Sequence, residues 1–296
     1  VRKQLLLDGP SLVYRAFFSV PKDIKDKQGR SVNAARGFLD MLATMITERK
    51  PDELIVALDA DWRPAFRVEA YAGYKSERPE DPPELPWQFD LLDELLRAFG
   101  IAQASVEGLE ADDTIATLVE NVPDDQRVYI VSGDRDMLAL VKDPNIRLLF
   151  PVKGVRLMTD FDEAGVEAKY GVPPRLYPDF ATLRGDSSDG LPGVAGIGPV
   201  RAVKLLKDFG SIDGIMERLD ELPLKQRLVF KESRDYLDAM KTVVGLVRDA
   251  DVELTEAGPP DPDAVRALTE KHNLRGPGER LLLALGVPVA MAEEPN

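Results

Sequence analysis

Short continuous apolar runs alternate along the chain with longer stretches of helical spacing. Residues 3–7, 53–58 and 127–131 are runs of the first kind, apolar toward both faces as strands buried between two layers must be. Each delivers acid to its end: Asp8 follows the first, Asp59 the second, and the third runs into Ser132-Gly133-Asp134-Arg135-Asp136. Residues 146–150 and 155–158 predict two more strands, a hairpin around Lys153-Gly154. Between the runs, helical spacing predicts helices over residues 33–49, 90–99 and 111–121, a helix-like stretch from Leu12 to Phe18 that carries Tyr14 and Arg15, and a return helix opening at residues 137–141. Strands that alternate with helices predict an α/β fold with a mostly parallel sheet. Acids collected at the strands' carboxyl ends lie where such sheets place their sites.

Two later stretches break this rhythm. Arg67, Tyr71, Tyr74, Lys75 and Arg78 fall within about a 100° arc if residues 67–78 are one helix, giving a stripe of cations and aromatics suited to phosphates and bases; on a bland surface the same stripe is a solvated basic face. Pro79, Pro82, Pro83 and Pro86 then predict a non-helical segment. From about Gly171 the pattern becomes helices with short loops, so a boundary is expected near Pro173-Pro174, dividing residues 1–173 from 174–288, with a flexible tail over residues 289–296. Within the second part a glycine-rich turn, Gly193-Val194-Ala195-Gly196-Ile197-Gly198, leads into a helix from Pro199 to Gly210 that carries Arg201, Lys204 and Lys207. Amide groups at such a helix start suit a phosphate, although a plain interhelix turn has the same composition.

Composition narrows the chemistry. With no cysteine among 296 residues, thiolate zinc sites, disulfides and cysteine nucleophiles are excluded. The one histidine, His272, lies in Glu270-Lys271-His272-Asn273, a segment that reads as surface, which leaves little room for histidine catalysis. No leader-like segment or membrane-length apolar run is expected, and the compartment this suggests is the cytoplasm. A net charge of −14 runs against nucleic-acid binding, but the acids are unevenly spread. Setting aside nine of the 52 acids as a metal site leaves 43 against 38 Lys and Arg.

Those nine are Asp8, Asp59, Glu110, Asp112, Asp113, Asp134, Asp136, Asp186 and Asp189, all at predicted strand ends, turns or the mouth of a helix. Two carboxylates 4 Å apart repel by about 4 kcal/mol at an effective dielectric near 20, so a shared pocket needs cations. All-oxygen ligands select hard Mg²⁺ or Mn²⁺, and a pair of such ions would activate water and stabilise the leaving oxygen of a phosphodiester. Two other classes remain open. A small-molecule phosphatase could use a strand-end Asp, although the haloacid-dehalogenase pattern needs a second Asp where Pro10 stands. A branched-DNA-binding module without catalysis would have lost acids, and none is missing.

In order, Asp8-Gly9, residues 28–38 (QGRSVNAARGF), residues 71–78 (YAGYKSER), Glu110-Ala111-Asp112-Asp113, Gly133-Asp134-Arg135-Asp136 and Gly185-Asp186-Ser187-Ser188-Asp189 resemble the bacterial 5′–3′ exonuclease and flap endonuclease family, which also forms the N-terminal domain of DNA polymerase I. The resemblance runs from Lys3 to about Gly286, and with no polymerase region following it implies a free-standing enzyme or an excised domain. It implies a PIN-like lobe with a helical arch at about residues 63–88, and a helical lobe with a helix-turn-helix-like (H3TH) DNA clamp at about residues 185–210. It further implies that Asp8, Asp59, Glu110 and Asp112 bind one Mg²⁺ or Mn²⁺, and that Asp113, Asp134, Asp136, Asp186 and Asp189 bind another, directly or through water. Lys75 and Arg78 would steady the scissile phosphate. Tyr14, Arg15, Arg67, Tyr71, Tyr74, Gly196, Gly198, Arg201 and Lys204 would meet DNA, and K⁺ would sit at the glycine turn. The implied substrate is DNA with 5′ flaps, nicks or gaps, RNA–DNA hybrid ends included, cut by a monomer. Gly190 departs from the pattern, which has Asn there.

Overall fold

The computed structural model describes residues 1–289. Among them one sheet is built from β1 (Arg2–Asp8), β2 (Glu53–Ala57), β3 (Ala102–Ser105), β4 (Gln126–Val131), β5 (Ile146–Lys153), β6 (Leu157–Phe161) and β7 (Glu253–Leu254), in the order β6-β5-β4-β1-β2-β3-β7. β1 to β5 run parallel, and the short outer strands β6 and β7 are antiparallel. Leu6 of β1 stands level with Ile55 of β2 and Ile130 of β4, which puts the ends of these central strands, and the acids beyond them, along one edge.

Helices cover both faces. The first part of the chain supplies α1 (Gly9–Ser19), α2 (Asn33–Arg49), α3 (Ala65–Ala70), α4 (Pro86–Ala98), α5 (Ala111–Val119) and α6 (Glu163–Tyr170). Then follow α7 (Tyr177–Arg184), α8 (Pro199–Phe209), α9 (Ile212–Glu217), α10 (Leu224–Glu232), α11 (Arg234–Val243), α12 (Pro262–Lys271) and α13 (Arg275–Ala284). Successive strand residues point to opposite faces, so Leu5 and Leu7 join a core with α1, α2, α4, α12 and α13, while Leu6 joins a second core with α5 and α7 to α9. β1 is therefore apolar on both sides, as its unbroken leucines require. No helix among the described residues is long and apolar enough to cross a membrane.

The strands expected at residues 3–7, 53–58, 127–131 and 146–150 are present, and the expected hairpin exists with its second strand at Leu157–Phe161. The helix expected to open at Met137 is instead a 3₁₀ turn, Asp136–Leu140. Pro86 does not break the chain; it occupies the first turn of α4, where its missing N–H costs nothing. The expected arch is not continuously helical. α3 ends at Ala70, Tyr71 is extended, and residues 72–77 are turns in which Lys75 has φ of 52°. β7 pairs with β3, and α12 and α13 pack on α4 and α2, so the segment from Glu253 onward returns to the sheet. The tail expected over residues 289–296 lies outside the described residues beyond Val289. His272 is buried, 3% exposed, beneath the loop that carries Asp26 and Arg30; its Nδ1 lies 3.3 Å from Asp26 Oδ2. It is a packing residue, not a surface one.

Candidate active site

The acids expected at strand ends meet at the carboxyl edge. Asp8, Asp59, Glu110, Asp112 and Asp134 line a cavity of about 460 Å³, with Tyr14, Trp62 and Arg78 on its walls. Asp8 closes β1 and caps α1: Oδ1 accepts the Ser11 N–H at 3.0 Å and Oδ2 accepts the Ser132 hydroxyl at 2.5 Å. Burial pushes Asp8 up to about 7 against those hydrogen bonds, and Asp134 and Asp59 add repulsion. Asp59 accepts the Ala111 N–H at 2.8 Å. Open to the cavity yet walled in by protein, it is pushed up to about 6, chiefly by desolvation, with repulsion from Glu110. Asp112 and Asp136 are raised well above the ordinary carboxylate range, by burial and then by Asp134; Asp134 is raised as well, by burial first.

Glu110 is the most heavily engaged. Its Oε2 accepts Arg67 Nη1 at 2.5 Å and the Tyr74 hydroxyl at 2.7 Å, and its Oε1 pairs with Lys75 Nζ. Asp136 and Asp189 line a much smaller space that also touches Glu110 and Asp112. The acids thus form two overlapping sets, with Asp134 facing the larger cavity. Asp186 faces neither; it binds Arg184 Nη2 at 3.1 Å and the Ser188 hydroxyl.

Asp113, expected to bind a cation directly or through water, faces the core in this structure. It is fully buried and pairs with both Arg67 terminal nitrogens at 2.7 Å, and it accepts the Val247 N–H at 2.9 Å. Adjacent helical residues point about 100° apart, so when Asp112 faces the cavity Asp113 faces the core. Arg67 corrects the expected stripe in the same way. At 2% exposure it cannot touch DNA, and it holds Glu110, Asp113 and the Val243 and Gly245 carbonyls. Tyr74 and Lys75 are also buried on Glu110, and Tyr71 packs edge-on to Tyr236. The stripe fails because α3 stops before it.

Of the expected DNA contacts, Arg78 stays at the cavity rim, its Nη2 2.7 Å from Asp189 Oδ1. Tyr14 forms a wall, held by Phe89 and by a 2.5 Å bond to Asp81. Arg15 lies over Gly133, where an added Cβ would come within 3.1 Å of its guanidinium. Gly196 has φ of +74° and Gly198 caps α8. Arg201 binds the Gly196 carbonyl at 2.6 Å, and Lys204 pairs with Asp208. Trp62 was missed by sequence reasoning; a tryptophan three residues past a strand-end acid was the available signal.

Among the described residues no three acids are gathered closely enough to hold a cation as they stand. Lys75 and Arg78 draw Glu110 and Asp189 toward themselves. The donor set nevertheless fits a hard cation: it is all oxygen, it surrounds one cavity, and Asp8, Asp59, Asp112 and Asp134 are pushed toward protonation chiefly by burial.

This mostly parallel sheet, with an acid-lined cavity at its carboxyl edge and helices presenting a glycine turn beside it, is the fold of a nuclease of the 5′–3′ exonuclease class. Residues 3–171 match the model of the 5′–3′ exonuclease N-terminal resolvase-like domain and residues 172–263 that of the 5′–3′ exonuclease C-terminal SAM fold, and the chain belongs to the 5′–3′ exonuclease family. It is 42% identical to a 5′–3′ exonuclease of Streptomyces coelicolor, over 95% of this chain and 99% of the relative. It is 40% identical to one of Mycobacterium tuberculosis, over 95% and 97%. A DNA polymerase I of Mycobacterium leprae is 38% identical over 95% of this chain, which spans 31% of that longer protein. The flap endonuclease of bacteriophage T5, solved with DNA and metal ions, shares the fold with a TM-score of 0.66 at 19% identity, over 96% of this chain and all of the other.

Proposed function

We propose that the chain is a divalent-metal-dependent, structure-specific 5′ nuclease that hydrolyses DNA phosphodiesters at 5′ flaps, nicks and gaps, with RNA–DNA hybrid ends in its range. The observation that carries this is the convergence of five carboxylates, from the ends of three parallel strands and the start of α5, on one cavity rimmed by Arg78. Family membership supports the 5′–3′ direction. Asp8, Asp59, Glu110, Asp112 and Asp134 would hold Mg²⁺ or Mn²⁺ in the cavity, and Asp136 and Asp189 would complete a second site with Asp186 assisting. Cations bound there supply Lewis acidity, lowering the pKa of a water and neutralising charge on the phosphate.

The chain's own groups orient the reaction. Ser11 and Ser132 fix Asp8, and the Ala111 amide fixes Asp59. Arg78, paired with Asp189, would exchange it for a phosphate oxygen, and Lys75, paired with Glu110, would be the second cation toward that phosphate. The glycine turn, the start of α8, Arg201 and Lys204 would grip a duplex backbone. For K⁺ at that turn the structure holds a competitor, since the Arg201 guanidinium already occupies the Gly196 carbonyl. In this reading the chain divides near Pro173 into a cutting part and a gripping part.

The test is cleavage of an end-labelled 5′-flap duplex beside its 3′-flap mirror image, in Mg²⁺, Mn²⁺ and EDTA. Cutting near the 5′ junction, lost in EDTA and lost in Asp134→Asn with folding intact, is the expected result. Undiminished turnover by Asp134→Asn would remove that residue from the site.

A further inference from the structure

We propose that Trp62 is a stacking platform for an unpaired nucleobase beside the scissile phosphate, making the cavity a nucleotide subsite as well as a metal site. The proposal rests on the nuclease reading and adds a substrate contact to it. Trp62 is 53% exposed, and it lines the same cavity as Asp8, Asp59 and Arg78. Large apolar rings normally bury their faces. Among the described residues Trp62 makes no ring-to-ring or cation–π contact, whereas the chain's other tryptophan, Trp87, carries Arg30 over its face at 4.2 Å and lies beside His272.

The exposure is not that of a loose loop. The amides of Ala60 and Asp61 both donate to the Leu109 carbonyl, at 3.2 and 3.0 Å, and Asp61 Oδ1 accepts the Arg63 N–H. Arg63 then ties the far side of the loop to the Tyr74 and Ala72 carbonyls. The indole is thus displayed on a braced loop immediately after Asp59. An unsatisfied π-face held rigidly at a site is preorganised for a flat ligand, because little ordering remains to be done on binding.

The chemistry of the cavity says which ligand. Its acids suit cations that bind phosphate, Arg78 suits a phosphate oxygen, and Trp62 with Tyr14 offers aromatic surface. A nucleotide carries both a phosphate and a planar ring, so the two kinds of wall match its two parts. Stacking tolerates any base, since every base has a π-face, and the subsite therefore asks that the base be unpaired rather than of one type.

The experiment compares wild type with Trp62→Ala, Trp62→Leu and Trp62→Phe on a 5′-flap duplex, and on the same duplex with an abasic residue stepped through the nucleotides flanking the cut. Loss of one stacked base corresponds to roughly a ten- to hundredfold fall in kcat/KM. Trp62→Ala and Trp62→Leu should show that fall while Trp62→Phe recovers most of it, and at one abasic position all four proteins should converge to within about twofold. In stopped-flow mixing with the flap, tryptophan emission should be quenched in wild type and unchanged in Trp62→Phe. Trp62→Ala cutting like wild type, or a deficit that persists at every abasic position, overturns the platform while leaving the nuclease reading intact. Wild type silent on flaps in both Mg²⁺ and Mn²⁺ removes the nuclease reading, and the emission change on binding then decides the stacking alone.

Discussion

Arg67 spends its whole guanidinium inside the protein, on Glu110, Asp113 and the carbonyls of Val243 at the end of α11 and Gly245 just beyond it. Removing one member of a buried, fully bonded charge group leaves the others uncompensated, which costs about 3–5 kcal/mol. Arg67→Met is therefore expected to lower unfolding free energy by about that amount in urea titration; a change below about 1 kcal/mol would mean the network contributes little. The sequence offered no hint of this, because a basic residue in a stripe with tyrosines has the same spacing whether the helix runs on or stops at Ala70. Asp112 and Asp113 show the complementary limit. That acids gather at the start of α5 is legible from spacing, but which of two neighbours turns inward depends on where Arg67 arrives from across the fold. His272 was misjudged for a like reason, its polar neighbours hiding the loop that covers it.

At the level of elements, the turn after α3 and the loop after α7 are fitted to one another. Gly190 has φ of +73°, and a Cβ there would lie 2.4 Å from the Gly73 carbonyl oxygen; beside it the Lys75 amide donates to the Asp189 carbonyl at 3.0 Å. With that contact and that φ, glycine is required at position 190. Gly190→Ala should push the two segments apart, lowering the melting temperature by roughly a few degrees and reducing flap cleavage at least tenfold through displaced Arg78 and Asp189; activity within twofold of wild type would show that the two segments move freely. Strand recognition divided along the same lines. β1, β2 and β4 declared themselves through continuous Val, Ile and Leu, while β3 (Ala-Gln-Ala-Ser) has no β-branched residue and is a strand through its neighbours, with Leu58 N–H donating to Ala104 and Thr255 bonding Gln103. Tertiary pairing, not propensity, makes it.

For the molecule as a whole, the acid cavity is an electrostatic burden on the folded state. In an unfolded chain Asp8 and Asp59 lose their protons near pH 4, whereas in the folded protein they hold them to about 7 and about 6. Between those limits the folded state binds more protons, so its stability falls as pH rises toward 7 and levels off above. In EDTA the melting temperature should drop by roughly 5 °C or more between pH 5 and pH 8, and Mg²⁺ at pH 8 should restore much of it; a rise over that range in EDTA would contradict the burial of these groups. The acids' collection at one edge was legible from where the apolar runs end. Their division into two spaces was not, because it depends on side chains from the 3₁₀ turn and the Asp186–Asp189 loop. The return of the chain through β7 has a mechanical meaning. The helices from Tyr177 to Val243 are joined to the sheet at both ends, by the segment after α6 and by β7 on β3, with Arg67 as a third tie. A body held at three points has less freedom to swing away from the sheet than one hung from a single connection.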